Sequence, residues 1–210
     1  MIAGKPSVEF VALSETKDWR ELLSEEERAR AAGIANPAVT ARFEIGRGLR
    51  RKMLSEATGL SPKEITFAET EEGKPRALNA AGWDFNVSHS GDYVAVAVGR
   101  GQVGVDLEQI RLVREMESIV ERYFHPDEAA AWRAVAPGLR EEAFFVLWSA
   151  REASMKCVGL GLARGLSVTR VDPAIVVETV AFARVGHARL EVRRLSAPQG
   201  YVAMVAQAAA

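Results

Sequence analysis

Apolar positions divide the chain into short strands and longer helices. The stretches "VEFVAL" (8–13), "YVAVAV" (93–98) and "VGVDL" (103–107) are dominated by valine and other apolar residues, which predicts strands. An arginine-rich helix is predicted over 38–57, and an apolar helix begins at 144 and ends near Gly159 or Gly161. The C-terminal segments from "LSVTRV" to "YVAMVAQ" are again predicted as strands.

The order of these elements bears on the fold class. A strand, helices, strands, further helices and a final set of strands favour an α+β fold over a doubly wound parallel sheet. The linker "GRGQ" (99–102) predicts a hairpin between the strands on either side, and "FNVSHSG" (85–91) predicts a turn. We place a boundary near residue 100, which gives two halves, 1–100 and 101–210.

Composition and charge narrow the possible functions. The chain has 210 residues and a formal net charge of -1, which disfavours a large uniform basic surface for nucleic acid. Its one cysteine, Cys157, allows no internal disulfide, and a reducing cytoplasm is the expected location. We expect no signal peptide and no membrane span, because no apolar run approaches about 18 residues.

Two carboxylates alternate with apolar residues in "GVDLE". On a strand, Asp106 and Glu108 lie on the same face, where their negative charges repel each other unless a cation lies between them. Mg²⁺ takes such hard oxygen ligands and completes its shell with water and phosphate. By itself, the pair is equally typical of a solvated strand face, which is the simpler interpretation.

The predicted apolar helix carries a second charged pair. Trp148, Glu152 and Lys156 are spaced by four residues and therefore share one face. An ordinary surface Glu–Lys pair would explain this spacing, but an aromatic neighbour argues against full solvation. A buried charge requires a partner, and a metal for Glu152 with a phosphate for Lys156 would supply it.

Basic and polar residues form several weaker candidates. Lys74 lies in a "GKP" loop, Ser88 and His89 lie in the predicted turn, and Arg47 and Arg51 share one helix face. A phosphate would suit the arginines, since guanidinium groups bind it bidentately. Turn chemistry and a solvated helix face explain these residues equally well.

The order of the motifs is more informative than any one of them. Taken together, "GKP", "FNVSHS", "GVDLE", "WSAREASMK" and "GLGL" resemble the Sfp-type 4'-phosphopantetheinyl transferases over residues 42–167. Arg151 stands where many members have lysine. The resemblance implies two pseudo-symmetric α/β halves in one chain, with coenzyme A in the cleft between them.

The resemblance also implies a reaction. These enzymes transfer the 4'-phosphopantetheine arm of coenzyme A to a serine of an apo acyl or peptidyl carrier protein and release 3',5'-ADP. Asp106, Glu108 and Glu152 would hold Mg²⁺, or Mn²⁺ in its place. Asp106, Glu152 and Lys156 would form the catalytic set, in which Lys156 assists at the phosphate and Glu152 is a candidate base for the serine.

The same resemblance implies a coenzyme site and partners. The residues expected to contact coenzyme A are Arg47, Arg51, Lys74, Pro75, Ser88, His89 and Lys156. The docking residues for the carrier are left open, with "RLVREMESIVERYF" (111–124) as a candidate segment. The chain is expected to act as a monomer without nucleic acid or membrane. Two other functions stay open: a coenzyme A-binding protein that does not transfer, and a metal-dependent phosphodiesterase or nuclease.

Overall fold

Helices and strands are mixed throughout the computed structural model, which describes residues 4–209. The predicted α+β class is therefore confirmed. The chain separates into two compact units, and the division falls between Val103 and Gly104, close to the boundary expected near residue 100.

From residue 4 onward, the first unit has two α-helices, a short 3-10 helix at Trp19–Leu22 and five strands. A capping box starts the first helix, because Ser24 accepts a hydrogen bond from the Glu27 N–H and the Glu27 carboxylate accepts one from the Ser24 N–H. Asn36 caps the second helix, which ends at Gly59 in the left-handed conformation. The elements are β1 (Ser7–Ala12), α1 (Glu25–Ala32), α2 (Pro37–Thr58), β2 (Phe67–Glu69), β3 (Pro75–Ala77), β4 (Trp83–Ser90) and β5 (Tyr93–Arg100).

Helix α2 packs on an antiparallel sheet of order β1–β5–β4, and β2 pairs with β3 in a separate hairpin. The core between helix and sheet contains Leu49, Leu54, Phe85 and Val94, all fully buried.

Two local predictions in this region are wrong. The segment "FNVSHS" is not a turn but the end of β4, whose residues pair with β5 up to Ser90 and Tyr93. The turn is the two-residue Gly91–Asp92, with Gly91 at a φ of 50°, as a primed hairpin turn requires. The sequence hides this strand because two of its buried residues, Asn86 and Ser88, are of types common in turns.

The predicted "GRGQ" hairpin is also wrong. β5 pairs only within the first unit's sheet, whereas the next strand, β6 (Val103–Gln109), belongs to the sheet of the second unit. Gly101, at a φ of 73°, redirects the chain there, and its N–H donates to the Gly82 carbonyl. A tight glycine turn is thus compatible with a change of sheet as well as with a hairpin.

The second unit is a five-stranded sheet covered by one long helix. Besides β6, its elements are α3 (Met116–Tyr123), α4 (Pro126–Ala134), α5 (Arg140–Val158), α6 (Leu162–Gly165), β7 (Thr169–Val171), β8 (Val180–Val185), β9 (Ala188–Arg194) and β10 (Tyr201–Ala208). The strand order is β6–β10–β9–β8–β7. Pro126 is the first residue of α4, a position that proline favours, and Gly159 ends α5, as the sequence predicts.

The hydrophobic core of this unit lies between α5 and the sheet. Ala181, Ala183 and Val185 of β8 face α5, while Phe182 and Arg184 alternate to the exposed side. Within the C-terminal region that the sequence predicts as strands, Pro173–Val176 instead forms a 3-10 helix. Within residues 4–209, no helix has both the length and the apolar character needed to cross a membrane.

Candidate active site

Strand β6 approaches α5 unusually closely at Gly104. A Cβ atom at this position would lie 2.1 Å from the Ala153 carbonyl oxygen and 2.4 Å from the Cys157 nitrogen. Only glycine allows two backbones to pack at this distance. The approach brings the acidic end of β6 against the face of α5 that carries Glu152 and Lys156.

Three predicted catalytic side chains meet at this point, and we call them the carboxylate–lysine cluster. The Lys156 ammonium lies 2.5 Å from Asp106 Oδ1 and 3.3 Å from Glu152 Oε2. The Asp106 side chain is only 2% exposed, and that of Glu152 is 14% exposed. Two carboxylates therefore share one ammonium in a largely dehydrated setting.

The pKa shifts in the cluster follow from burial and from this charge ratio. Burial raises the pKa of Glu152, and the negative charge of Asp106 raises it further, although Lys156 and a hydrogen bond from Trp148 oppose both effects. Burial works to lower the pKa of Lys156, but its two carboxylate partners prevail and the pKa is raised. The cluster thus carries excess negative charge.

The cluster offers some of the ligands that a divalent cation needs. Mg²⁺ commonly uses one or two carboxylates together with water and phosphate, and Asp106 and Glu152 offer that donor set. No group of three or more His, Cys, Asp or Glu side chains among residues 4–209 is arranged to hold a metal by itself. For Glu108, the metal-binding role stays a prediction.

A second candidate site lies in the first unit, and we call it the arginine cavity. It has a volume of about 370 Å³ and opens between α2, β3 and β4. Among the predicted coenzyme-binding residues, it brings together Arg47, Pro75 and His89. The remaining lining residues are Val39, Arg42, Phe43, Gly46, Arg50 and Val87.

The arginine cavity has the opposite charge from the carboxylate–lysine cluster. Its lining includes three arginines and one histidine but no carboxylate. Burial lowers the pKa of Arg50 to about 9, and the neighbouring positive charge of Arg47 contributes, while Glu27 opposes the change. An anion entering the cavity would relieve this repulsion.

Arg51 does not line the cavity. Its Nε atom donates to Glu27 at 2.7 Å, and its Nη1 atom donates to the backbone carbonyls of Pro62 and Ile65. Arg50 binds the second oxygen of the same carboxylate at 2.6 Å. Arg51 therefore joins α1, α2 and the following loop.

Two other predicted coenzyme-binding residues also lie away from the cavity lining. The Lys74 ammonium lies 2.6 Å from Asp84 Oδ2 and 2.9 Å from the Val103 carbonyl oxygen. Ser88 is buried on β4, one residue before His89. Their contacts with coenzyme A stay predictions.

The sequence reasoning missed part of the cavity, although the signal was present. Phe43, Gly46, Arg47 and Arg50 are spaced by three and four residues and so form one stripe along α2. The i,i+4 spacing of Arg47 and Arg51 predicts a different pair of arginines on one face. The helical stripe that includes Phe43 would have identified Arg50.

The predicted carrier-docking segment follows β6 directly. Leu112 is 75% exposed, and Arg111 and Arg114 on either side of it are exposed as well. An exposed apolar side chain flanked by cations suits an acidic protein surface. The docking role itself stays a prediction.

Two family models match consecutive parts of the chain. Residues 13–101 match the model described as "4'-phosphopantetheinyl transferase, N-terminal", and residues 102–205 match the "4'-phosphopantetheinyl transferase superfamily". The first match covers the arginine cavity and the second covers the carboxylate–lysine cluster.

Curated relatives agree with the family models. The chain is 32% identical over 169 residues to 4'-phosphopantetheinyl transferase HetI of Nostoc sp., an alignment that covers 77% of this chain and 71% of the relative. It is 35% identical over 157 residues to 4'-phosphopantetheinyl transferase psf-1 of Bacillus pumilus, covering 74% of this chain and 66% of the relative.

A solved structure matches about half of this chain. A holo-(acyl-carrier-protein) synthase from Bacillus anthracis in complex with coenzyme A (3',5'-ADP) matches with a TM-score of 0.38 and 20% identity, covering 47% of this chain and 96% of that one. A TM-score of 0.38 is too low to support a family, so family membership depends on the sequence matches. On those matches, the chain belongs to the 4'-phosphopantetheinyl transferase superfamily and is a transferase.

Proposed function

We propose that this protein transfers the 4'-phosphopantetheine arm of coenzyme A to a serine of an apo acyl or peptidyl carrier protein, with Mg²⁺, and releases 3',5'-ADP. The observation that supports this most is the carboxylate–lysine cluster, in which Asp106 and Glu152 share Lys156. Family membership gives the reaction class, and the cluster supplies side chains suited to it.

Each residue of the cluster has a role in the proposed reaction. Asp106 and Glu152, with Glu108 as the further predicted ligand, would hold Mg²⁺, which neutralises charge on the pyrophosphate when bound. The serine oxygen forms a bond to the phosphorus of the pantetheine phosphate as the bond to 3',5'-ADP breaks. Glu152 accepts the serine proton, and Lys156 donates a hydrogen bond to the departing phosphate oxygen.

The arginine cavity is proposed to bind the nucleotide part of coenzyme A. Arg47 and Arg50 present guanidinium groups to a phosphate, and His89 lines the same space. The face of Phe43 already receives the Arg47 guanidinium, with 5.2 Å between the guanidinium carbon and the ring centroid. An anionic, partly aromatic ligand such as a phosphorylated adenosine fits these groups.

We further propose that the enzyme acts as a cytoplasmic monomer. Both candidate sites are present on one chain, and its one cysteine is buried. Size-exclusion chromatography with light scattering measures the oligomeric state directly.

Intact-mass spectrometry tests the proposed reaction. An apo carrier protein incubated with this protein, coenzyme A and Mg²⁺ is expected to gain the mass of phosphopantetheine. Parallel samples contain EDTA or the Asp106→Ala variant, and neither should show the gain. A panel of fatty-acid, polyketide and peptide carriers then identifies the pathway.

The outcomes separate this proposal from its alternatives. Binding of coenzyme A without a mass gain on any of several unrelated carriers would favour a coenzyme A-binding protein that does not transfer. Metal-dependent cleavage of coenzyme A without a carrier would favour a phosphodiesterase. The net charge of -1 disfavours a nuclease.

A further inference from the structure

Beside the carboxylate–lysine cluster lies an ion pair that is completely buried. The Arg151 Nη1 atom donates to both oxygens of Glu128, at 3.0 and 2.7 Å. Glu128 is 0% exposed and Arg151 is 1% exposed. Burying such a pair costs more solvation than apolar residues of similar volume would, so it is poorly explained by stability alone.

The pair connects several segments of the second unit. Glu128 also accepts hydrogen bonds from the backbone N–H groups of His125, at the start of α4, and Val171, on β7. Arg151 also donates to the carbonyls of Leu166 and Thr169, at 2.6 and 2.9 Å. Helix α5 is thereby fixed in rotation relative to α4, β7 and the segment after α6.

Rotation of α5 matters because Arg151 directly precedes Glu152. Consecutive helical residues are related by about 100°, so any rotation that moves Glu152 also moves Arg151. A rotation of about 10° displaces an atom about 6 Å from the helix axis by about 1 Å. An error of that size at reacting groups can cost about 100-fold in rate.

Aromatic side chains provide a second connection between Arg151 and Glu152. The Arg151 guanidinium lies over the Phe124 ring, with 5.6 Å between the guanidinium carbon and the ring centroid. Phe124 stacks on Trp148, and Trp148 hydrogen-bonds Glu152. The indole N–H is the only donor of that side chain. Arg151 is thus connected to Glu152 both through the helix backbone and through packed rings.

We propose that Arg151 and Glu128 form a positioning pair that holds Glu152 in the orientation its catalytic role requires. This inference rests on the proposed function for the role of Glu152. Neither residue of the pair reaches the reacting atoms in this account, and both act through Glu152.

The test replaces both charges at once. Substituting a buried ion pair by apolar residues of similar size is often tolerated or stabilising, so Glu128→Leu combined with Arg151→Met should keep the fold. We expect a lower melting temperature, because four backbone groups lose their hydrogen-bond partners. The protein should still be folded at the assay temperature, with a kcat for transfer at least about 10-fold lower and a KM for coenzyme A within about twofold. Arg151→Lys, which keeps the charge, should retain most of the kcat.

A control ion pair lies next to the positioning pair in sequence. Arg170 of β7 pairs with Asp127 of α4, the residue before Glu128, but both partners are about half exposed. Arg170→Met should leave kcat unchanged. If the double variant does not fold, Glu128→Gln replaces it, with a smaller expected loss of kcat. A folded variant of either kind with wild-type kcat would overturn the proposal.

The Trp148 indole N–H resonance provides a readout without turnover. Its signal, assigned with Trp148→Phe, should shift in the double variant and stay in place in Arg170→Met. An unshifted signal in the double variant would overturn the proposal even if activity fell. If the wild-type protein transfers nothing, the proposed function fails, and this resonance still reports whether the pair orients Trp148 and Glu152.

Discussion

Helices α2 and α5 carry opposite charge imbalances in their two units. In the first unit, Arg50 and Arg51 of α2 share the single carboxylate of Glu27. In the second unit, Asp106 and Glu152 share the single ammonium of Lys156 on α5. Two cations meet one anion in the first case, and two anions meet one cation in the second.

In both sites, burial disfavours the charged form of an ionisable side chain and so shifts its pKa. It lowers the pKa of Arg50 to about 9, with help from the charge of Arg47, and it raises the pKa of Glu152, with help from the charge of Asp106. A ligand of opposite charge would relieve each imbalance. The proposed ligands are an anion such as phosphate in the first unit and a cation such as Mg²⁺ in the second.

The largest effect is expected from removing a carboxylate of the second unit. Asp106→Ala or Glu152→Ala should lower kcat for transfer by about 10²–10³-fold or more, because each takes away a proposed metal ligand. Transfer to an apo carrier, followed by intact mass, measures the loss. Glu142→Gln, which changes an exposed carboxylate on the same helix, should have no effect. Near-normal activity of Asp106→Ala with Mg²⁺ would show that the metal assignment is wrong.

The next effect tests how the cluster is assembled. Gly104→Ala places a Cβ 2.1 Å from the Ala153 carbonyl, so β6 must move away from α5. We expect a loss of about 1–3 kcal/mol in unfolding free energy and about 100-fold in kcat. Thermal melts and transfer assays measure the two losses. Gly138→Ala, where a Cβ meets no atom within 4 Å, is the control, and an active Gly104→Ala would mean that the close approach is dispensable.

A smaller effect distinguishes two arginines of the first unit. Arg47→Ala should raise the KM for coenzyme A by about 10–100-fold, since it removes a charged hydrogen bond from the arginine cavity. Arg51→Met should instead lower the melting temperature, because Arg51 holds Glu27 and two backbone carbonyls. Equal increases in KM with unchanged melting temperatures would return Arg51 to the coenzyme site.

The smallest effect is expected at His89. His89→Ala should raise the KM for coenzyme A by about threefold to tenfold and leave kcat unchanged, because the variant loses one hydrogen bond to coenzyme A. Initial rates over a range of coenzyme A concentrations separate the two constants. An unchanged KM would make His89 a structural residue of β4.

Much of the architecture could be predicted from local signals. Ser24, Pro126 and Gly159 mark helix ends because caps and left-handed glycines act within a few residues. Strand pairing was harder to predict from the sequence. The glycine turn at Gly101 leads into another sheet, and β4 contains several residues typical of turns. Pairing depends on contacts far apart in sequence, which local patterns do not report.

In the candidate site, too, local sequence patterns predicted some features, while others depended on contacts between distant residues. The i,i+4 spacing of Glu152 and Lys156 predicted a shared face, and the structure adds Asp106 to it. The helical stripe of Phe43, Gly46 and Arg50 separates Arg50 from Arg51, but only the structure shows that this stripe lines a cavity. The sequence also did not predict that Glu128 is buried against Arg151, because a glutamate in the first turn of a helix is expected to be exposed.

Calorimetric titration of coenzyme A, once in EDTA and once in Mg²⁺, tests most directly whether the two units bind ligands of opposite charge. The wild-type protein should bind in EDTA and bind more tightly in Mg²⁺. Arg47→Ala should weaken binding in EDTA by at least about 10-fold and keep the gain from Mg²⁺, whereas Glu152→Gln should bind normally in EDTA and lose the gain. Wild-type affinity of Arg47→Ala in EDTA, or a full Mg²⁺ gain in Glu152→Gln, would contradict the account.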